Sequence, residues 1–330
     1  MYYYKDMKFL ILKTTNPFVN LAIEEYFFSY TNDDIFMLWQ NEPTIVIGKN
    51  QNPFAEINMD FVNKNNIHIA RRISGGGAVY HDLGNINYTF ISSREKNAQI
   101  NFESFTAPII KSLENIGIQA KLSGRNDLLI EDKKFSGNAQ HIRGGRVLHH
   151  GTLLFDTDLD VLTLALKVDP DKIKAKAIQS TRSRVTNLKP YFPSDTDANT
   201  FISMIAKQVQ KQFNTEPIEA PVCKEVDELS ARNASNEWLF PKSNYLSAYT
   251  ATKKRKYDFG IVNLQLNMSN DVISKIKITG DFFGTKDIAE LEEIIKNSAI
   301  KNLQKILQNV NVSEYIFSMT NEEFLQLIKE

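Results

Sequence analysis

Short apolar runs closed by turn residues dominate the first part of the chain. Phe9 to Leu12, Ile35 to Trp39, Thr44 to Ile47 and Ile67 to Ala70 are β-branched or aromatic stretches of this kind, and each predicts a strand. Asn16-Pro17 predicts a helix start ahead of Leu21, Ala22, Glu24, Glu25 and Tyr26. Tyr88 to Ile91 predicts another strand. Phe105, Ile109, Ile110 and Leu113 recur at helical spacing before a stop at Gly117. From 118 to 157 the pattern is strand and turn. Asp127 to Ile130 is one strand, Glu131-Asp132-Lys133 a turn, and Lys134-Phe135-Ser136 opens the next strand. Gly144-Gly145 marks a hairpin before a strand from Leu148 to Phe155. Phe201, Ile205, Val209 and Phe213 then share one helical face.

The pattern lapses at PKSNYLSAYTATKKRK, residues 241–256, which is polar and has neither helical nor strand periodicity. A smaller unit starts afresh beyond it. Tyr257 to Leu266 alternates as one strand and Ile276 to Ile278 makes a second. Ile288, Leu291, Ile294 and Ile295 form a helical stripe, and Thr320-x-x-Glu323 is a capping box ahead of a last helix. The expected division is a large domain over 1–243, a linker over 244–256 and a small domain over 257–330, in the α+β class.

Lys+Arg and Asp+Glu both number 39, so the formal charge is zero, which argues against a general polyanion or nucleic-acid binder but leaves room for a local basic site. The single cysteine, Cys223, excludes a disulfide within the chain and a cysteine zinc site, and suits a reducing cytoplasm. The apolar run near the N-terminus is shorter than a signal-peptide core, and no run reaches membrane-spanning length.

Three segments carry candidate chemistry. RRISGGGAVYHD, residues 71–82, sets Gly75, Gly76 and Gly77 between two predicted strands. Three successive glycines are entropically costly to order. The segment reads either as a hairpin turn or as an anion cradle whose bare backbone N–H groups converge on phosphate oxygens. Strand alternation would send Arg71 and Arg72 to opposite faces. Neither a G-x-x-x-x-G-K-[ST] loop nor a strand-to-helix G-x-G-x-x-G is present, so any nucleotide sits in another scaffold. In GRNDLLIEDKKFSGNAQ, residues 124–140, Lys134 starts a strand beside small residues. Alternation turns Phe135 to the core and puts Ser136 on the face of Lys134, which suits a lysine aimed into a cleft, whereas Lys133 reads as a solvated turn lysine. In KAKAIQSTRSRVTNLK, residues 174–189, cations stand among serines and threonines with no acid between them. It reads as an exposed basic loop or as one that closes on an anion.

RRISGGGAVYHDLGN, GRNDLLIEDKKFSGNAQ and KAIQSTRSRVTNL together resemble the lipoate–protein ligases, in order and separation. NLAIEEYFF, His149-His150-Gly151-Thr152 and GDFFGTKD at 280–287 resemble that family too. The likeness covers essentially the whole chain, and its first two motifs are shared with the wider superfamily that includes the biotin–protein ligases. It implies a large mixed-sheet catalytic domain with a small α+β accessory domain. It implies an enzyme that joins lipoate to AMP from ATP, releasing pyrophosphate, and then acylates a lysine on lipoyl domains of 2-oxoacid dehydrogenase complexes or on glycine-cleavage H protein. A monomer without nucleic-acid or membrane partners is expected. By the resemblance, Lys134 bridges the lipoate carboxylate and the α-phosphate. Arg72, Gly75, Gly76, Gly77, Ala78, Val79 and Tyr80 hold the nucleotide, with Asn85, Lys176 and Arg182, and the Lys174 to Arg184 loop covers the adenylate. Asp127 is the candidate for Mg2+. His81 and His149 are read as neutral structural histidines rather than bases, and are placed with Arg72 and Lys134 around lipoate.

Three other readings stay open. A transferase of the same fold would need a thiolate at the pocket, and Cys223 lies in a connecting stretch, EAPVCKEV, after all three motifs. Biotin ligation departs from the double arginine and triple glycine. A non-catalytic carrier of lipoyl-adenylate would not need the full set of ATP-facing motifs.

Overall fold

The structure is a computed structural model that describes residues 7–93, 99–167, 185–241 and 249–330. Its strands in chain order are β1 (Lys8–Ile11), β2 (Ile35–Trp39), β3 (Thr44–Ile47), β4 (His68–Arg71), β5 (Val79–His81), β6 (Asn85–Ser93) and β7 (Lys121–Ser123). They continue with β8 (Asp127–Ile130), β9 (Lys133–Arg143), β10 (Arg146–Leu154), β11 (Pro217–Ile218), β12 (Ala251–Tyr257), β13 (Gly260–Ser269), β14 (Val272–Gly280) and β15 (Ser298–Ala299). Eight of them form one mixed sheet in the order β11-β1-β2-β6-β10-β9-β8-β7, and β4-β3-β5 form a small second sheet.

The alternation of β6 and β10 decides what each face of the large sheet meets. Ile86, Tyr88 and Phe90 pack with Phe105 and Ile109 of the helix Glu103–Asn115 and with Phe201 and Ile205 of the helix Ala198–Phe213. Ile91 and Leu148 face the other way, against Leu21 and Phe28 of the helix Pro17–Tyr30 and Val226 of the helix Lys224–Asn233. The first helix starts where Asn16 accepts from the Phe18 and Val19 amides and Pro17 supplies a pre-set φ at N1. The α+β class and mixed sheet agree with the sequence reading.

A second core, around Leu264, Ile278, Leu291 and Phe324, lies between β12-β13-β14-β15 and the helices Ile288–Ile295, Ile300–Leu307 and Asn321–Lys329. The capping box forms as expected: Thr320 accepts from the Glu323 amide and the Glu323 carboxylate accepts from the Thr320 amide. The segment read as aperiodic before residue 257 is partly strand. Ala251 to Tyr257 pairs along its whole length with β13, and the run from Tyr257 to Leu266 is two strands joined by a turn at Asp258-Phe259. Cations on both faces hid that strand. Lys253 donates to the Ile328 carbonyl and Arg255 pairs with Glu330, while Lys254 and Lys256 are exposed on the opposite face. Cations at a helix C-terminus offset its dipole. Ile294, counted in the apolar stripe, is exposed. Among the described residues, no helix is long and apolar enough to cross a membrane.

Candidate functional site

The glycine segment is not a hairpin turn. β4 and β5 lie on opposite sides of β3, parallel and antiparallel to it, so residues 72–78 cross over the end of that strand. The crossing is tight. A Cβ on Gly48 would lie 2.1 Å from the Gly76 carbonyl oxygen. Gly76 has φ +89°, a conformation that L side chains rarely adopt. The small domain also presses here. A Cβ on Gly75 would meet the Phe282 carbonyl oxygen at 2.3 Å, one on Gly76 would meet the Phe283 ring at 2.8 Å, and the Gly76 amide donates to the Phe282 carbonyl at 3.2 Å. Two of the three glycines therefore make room for Phe282 and Phe283, which no local reading of the motif shows. Gly77 meets nothing closer than Asp281 at 3.9 Å and borders a cavity.

The two arginines diverge, as alternation predicts. Arg71 donates to the carbonyls of Gly48, Lys49 and Gln51 and to those of Trp238 and Leu239. Arg72 donates to Ser74 Oγ at 3.0 Å, to the Val46 carbonyl at 3.1 Å and to the Gly75 and Gly77 carbonyls at 2.8 Å. It is buried, which lowers its pKa to about 10 and leaves it charged at neutral pH. Its first task is to hold the glycine turn, although it also reaches the cavity wall.

That cavity, about 120 Å³, is lined by residues of both sheets, and Lys134 lines it together with Gly76, Gly77 and Ala78. The backbone of Lys134 is clamped from both sides. It pairs with Leu129 of β8, forms a parallel bridge to Val185 and accepts from the Thr186 amide at 2.8 Å. Its ammonium is 2.8 Å from Asp127 Oδ1, both side chains half-exposed. A Cβ on Gly137 would come within 3.1 Å of Lys134 Nζ, so that glycine keeps the lysine's path open. Ser136 does not share this face. The register shifts between Leu128 and Leu129, so Phe135 is the extra residue of a bulge. The bulge turns Ser136 inward, fully buried, with its Oγ 3.4 Å from Asn138 Nδ2.

Of the other predicted site residues, Val79 and His81 line the cavity. His149 does not. It is stacked on Phe105 at 5.2 Å, hydrogen-bonded to Gln140 and Asn138, and held neutral by burial. Its neighbour His150 lines the cavity instead. A strand turns adjacent residues to opposite faces, and the pair alone does not tell which face is the pocket. Tyr80 packs with Ile45 and Ile57 beneath the small sheet, its burial raising the phenol pKa. Gly75 lies outside the cavity, against the small domain. Asn85 sits behind Asn87, to which it donates at 2.9 Å, and Asn87 is the one that lines the cavity. Asp127 touches the site through its ion pair with Lys134. Lys176, Arg182 and the rest of the 174–184 loop reading lie outside the described residues. Sequence reading missed the apolar lining of the cavity from Leu21, Trp39 and Val46. Those residues looked like ordinary core positions, and three distant segments bring them together. Cys223 is remote, at the start of the helix Lys224–Asn233. Among the described residues, no three His, Cys, Asp or Glu side chains converge as a metal site.

The cavity thus combines apolar side chains with cations and bare backbone. Comparison with known proteins covers nearly the whole chain. Residues 16–210 match the family model of the lipoyl protein ligase A/B catalytic domain, and residues 247–328 match that of the bacterial lipoate protein ligase C-terminus. The lipoate-protein ligase LplJ of Bacillus subtilis is 37% identical over 326 residues, covering 95% of this chain and 97% of its own. Among solved structures, P. falciparum LipL1 in complex with lipoate superposes with a TM-score of 0.78 at 26% identity, covering 98% of both chains. A lipoate-protein ligase A bound with ATP superposes with a TM-score of 0.58 at 26% identity, covering 71% of this chain and 98% of that one.

Proposed function

The chain belongs to the lipoate–protein ligases, enzymes that join lipoate to proteins, and on that premise we propose that it works through lipoyl-AMP made in the cavity that Lys134 and the glycine turn line. ATP and lipoate are its substrates. The lipoate carboxylate attacks the α-phosphorus and pyrophosphate leaves. The acceptor lysine amine then attacks the acyl carbon, AMP leaves, and the amine's proton passes to solvent or phosphate. No nucleophile on the enzyme is needed, and the remoteness of Cys223 disfavours a thioester route.

The observation that supports this reading is that Lys134 and the glycine turn, Gly76 and Gly77 with Ala78, line one cavity. A compact ammonium with three donors suits two anions at once, which would compete with Asp127 for it. Because the Gly76 amide is taken by Phe282, the phosphate donors would be the amides from Gly77 to Val79. Fixed positive charge beside developing negative charge is the main source of rate in such a site. Leu21, Trp39 and Val46 would receive the dithiolane end, since ligand pockets are largely apolar with few placed polar groups. Magnesium fits as part of MgATP, with Asp127 as a single carboxylate ligand and phosphates supplying most of the rest; there it would neutralise phosphate charge. The acceptors would be lipoyl domains and glycine-cleavage H protein, met by a monomer in the cytoplasm. Residues 1–243 would be the catalytic domain, and the accessory one would begin with β12 at Ala251 rather than at 257.

The test is direct. The purified chain with lipoate, ATP and magnesium should release one pyrophosphate per enzyme and retain lipoyl-AMP, which then passes to the lysine of an added lipoyl domain. Lipoylation of that domain with ADP and phosphate as products would sink the adenylate route.

A further inference from the structure

The cavity wall contains an amide donor that the protein leaves unused. Alternation along β6 sends Asn85 and Asn87 to one side, and Asn87 pairs across the sheet with Trp39 on β2 and Thr152 on β10. The Asn85 amide donates to Asn87 Oδ1 at 2.9 Å, and Asn85 Oδ1 is itself buried without a partner. Asn87 Nδ2 is buried at the cavity and meets no acceptor within the protein. Asn87 as a whole is 2% exposed.

A second donor is set up in the same way. Asn20 donates to Asn41 Oδ1 at 2.9 Å, so the Asn41 amide must face His81 Nδ1, 3.0 Å away. His81 is therefore the tautomer with its proton on Nε2, and that nitrogen is also buried without a partner. Its ring lies 6.0 Å from Trp39, the cross-strand partner of Asn87. Buried donors are nearly always paired, so a pair left open in one pocket marks where a ligand oxygen belongs.

The position of Asn87 says which oxygen. On one side Trp39 belongs to one apolar cluster with Leu21 and Val46, which also line the cavity. On the other, Thr152 accepts from the Gly137 amide at 3.1 Å, and Gly137 lies against Lys134 Nζ. Asn87 thus stands where the hydrocarbon part of an acyl-adenylate gives way to its phosphate, and the group at that junction is the acyl carbonyl. Resting on the adenylate reading above, we propose that Asn87 Nδ2 donates to the acyl carbonyl oxygen of lipoyl-AMP and holds the oxyanion formed when the acceptor amine attacks the acyl carbon. His81 Nε2 is its companion donor. The oxyanion collapses with expulsion of AMP, so the donor is needed most in the transfer half-reaction. Lys134 serves the formation half-reaction, in which the carbonyl gains little charge.

The experiment separates the halves. Asn87→Asp keeps the shape and the bond from Asn85 but replaces the donor; Asn87→Ala removes it. The burst of pyrophosphate with lipoate and MgATP reads adenylate formation and also reports a folded site. Supplying lipoyl-AMP and a lipoyl domain reads transfer. In Asn87→Ala transfer should fall about 100-fold or more, the usual loss for one oxyanion donor, and the burst by clearly less; Asn87→Asp, whose carboxylate also repels the anionic substrates, should lose in both halves but more in transfer. Transfer at the wild-type rate, or equal losses in both halves, would overturn the proposal, the latter reducing Asn87 to pocket upkeep. A wild-type chain without any burst would instead overturn the adenylate reading and this inference with it.

Discussion

Ser74 Oγ lies 2.7 Å from Nε2 of His150, with Ser74 wholly out of solvent. His150 Nδ1 faces Glu24 Oε1 at 2.9 Å, which completes a serine, histidine and carboxylate row. The row has the hydrogen-bond directions of a nucleophilic triad, but Ser74 is buried, does not line the cavity, and its Oγ accepts from Arg72 Nε, so it is not placed to attack a substrate. Each member spends its polar atoms on the next, and the last, Arg72, grips the carbonyls of the glycine turn. Ser74→Ala should therefore cost about 1–3 kcal/mol of stability through buried groups left unpaired, and raise the KM for ATP more than it lowers kcat. Urea unfolding and steady-state kinetics check this; a lipoyl adduct on Ser74 found by mass spectrometry would contradict it.

Lys134→Ala should abolish adenylate formation without unfolding the chain. The side chain is half-exposed and its single ion pair is of the kind that contributes at most about 1 kcal/mol, so the melting temperature should barely move. The pyrophosphate burst should fall by about 100-fold or more, as when a group is lost that serves the transition state. Lys134→Arg should not restore it, because a planar fork cannot take the place of a compact ammonium beside Gly137. A burst near the wild-type level from the alanine variant would remove Lys134 from the centre of the reaction.

Much of this arrangement was legible in the chain. Strands such as Asp127–Ile130 are short apolar runs with unmistakable ends, and the glycine and lysine segments advertised themselves by composition. What escaped was parity and distance. One bulged residue at Phe135 reversed the face of Ser136, and a strand that reads His149-His150 does not say which histidine meets the pocket. Gly75 and Gly76 answer to Phe282 and Phe283, some two hundred positions away, a requirement that neither a hairpin turn nor an anion cradle, the two local readings, includes.

Three histidines should make the protein sensitive to mild acid. Burial lowers His81 and His141 each to about 3, with nearby cations adding to the effect, and burial also holds His149 well below its usual value. In the unfolded chain all three titrate at about 6.5, so below that pH the unfolded state binds more protons than the folded one. Stability is then fully present above neutral pH and falls as the pH drops toward 3. Each histidine contributes up to about 1.4 kcal/mol per pH unit in that window. Unfolding measured at pH 7, 6 and 5 should show this decline, with a shallower slope for His81→Asn. An unchanged slope in that variant would mean that His81 titrates alike in both states.

The grip of the small domain on the glycine turn can be read at one amide. The Gly76 N–H donates to the Phe282 carbonyl, and Phe283 beside it is buried against Phe102 and Ala139, with Arg125 4.5 Å above its ring. The Lys49–Asp287 ion pair, 2.7 Å long, joins the same two units but is substantially exposed. A buried aromatic ring outweighs an exposed ion pair: Phe→Ala in a core costs about 3–5 kcal/mol, an exposed pair about 0–1 kcal/mol. Phe283→Ala should therefore speed hydrogen exchange at the Gly76 amide by about 100-fold or more, since that bond then opens with the loosened domain. Asp287→Ala should leave the exchange rate within a few-fold of wild type. Gly76→Ala should mimic Phe283→Ala in stability, because its methyl meets both a positive φ and the Phe283 ring, whereas Gly77→Ala finds open space and should be tolerated. Equal exchange at Gly76 in the Phe283 and Asp287 variants would show that the ring is not what holds the turn.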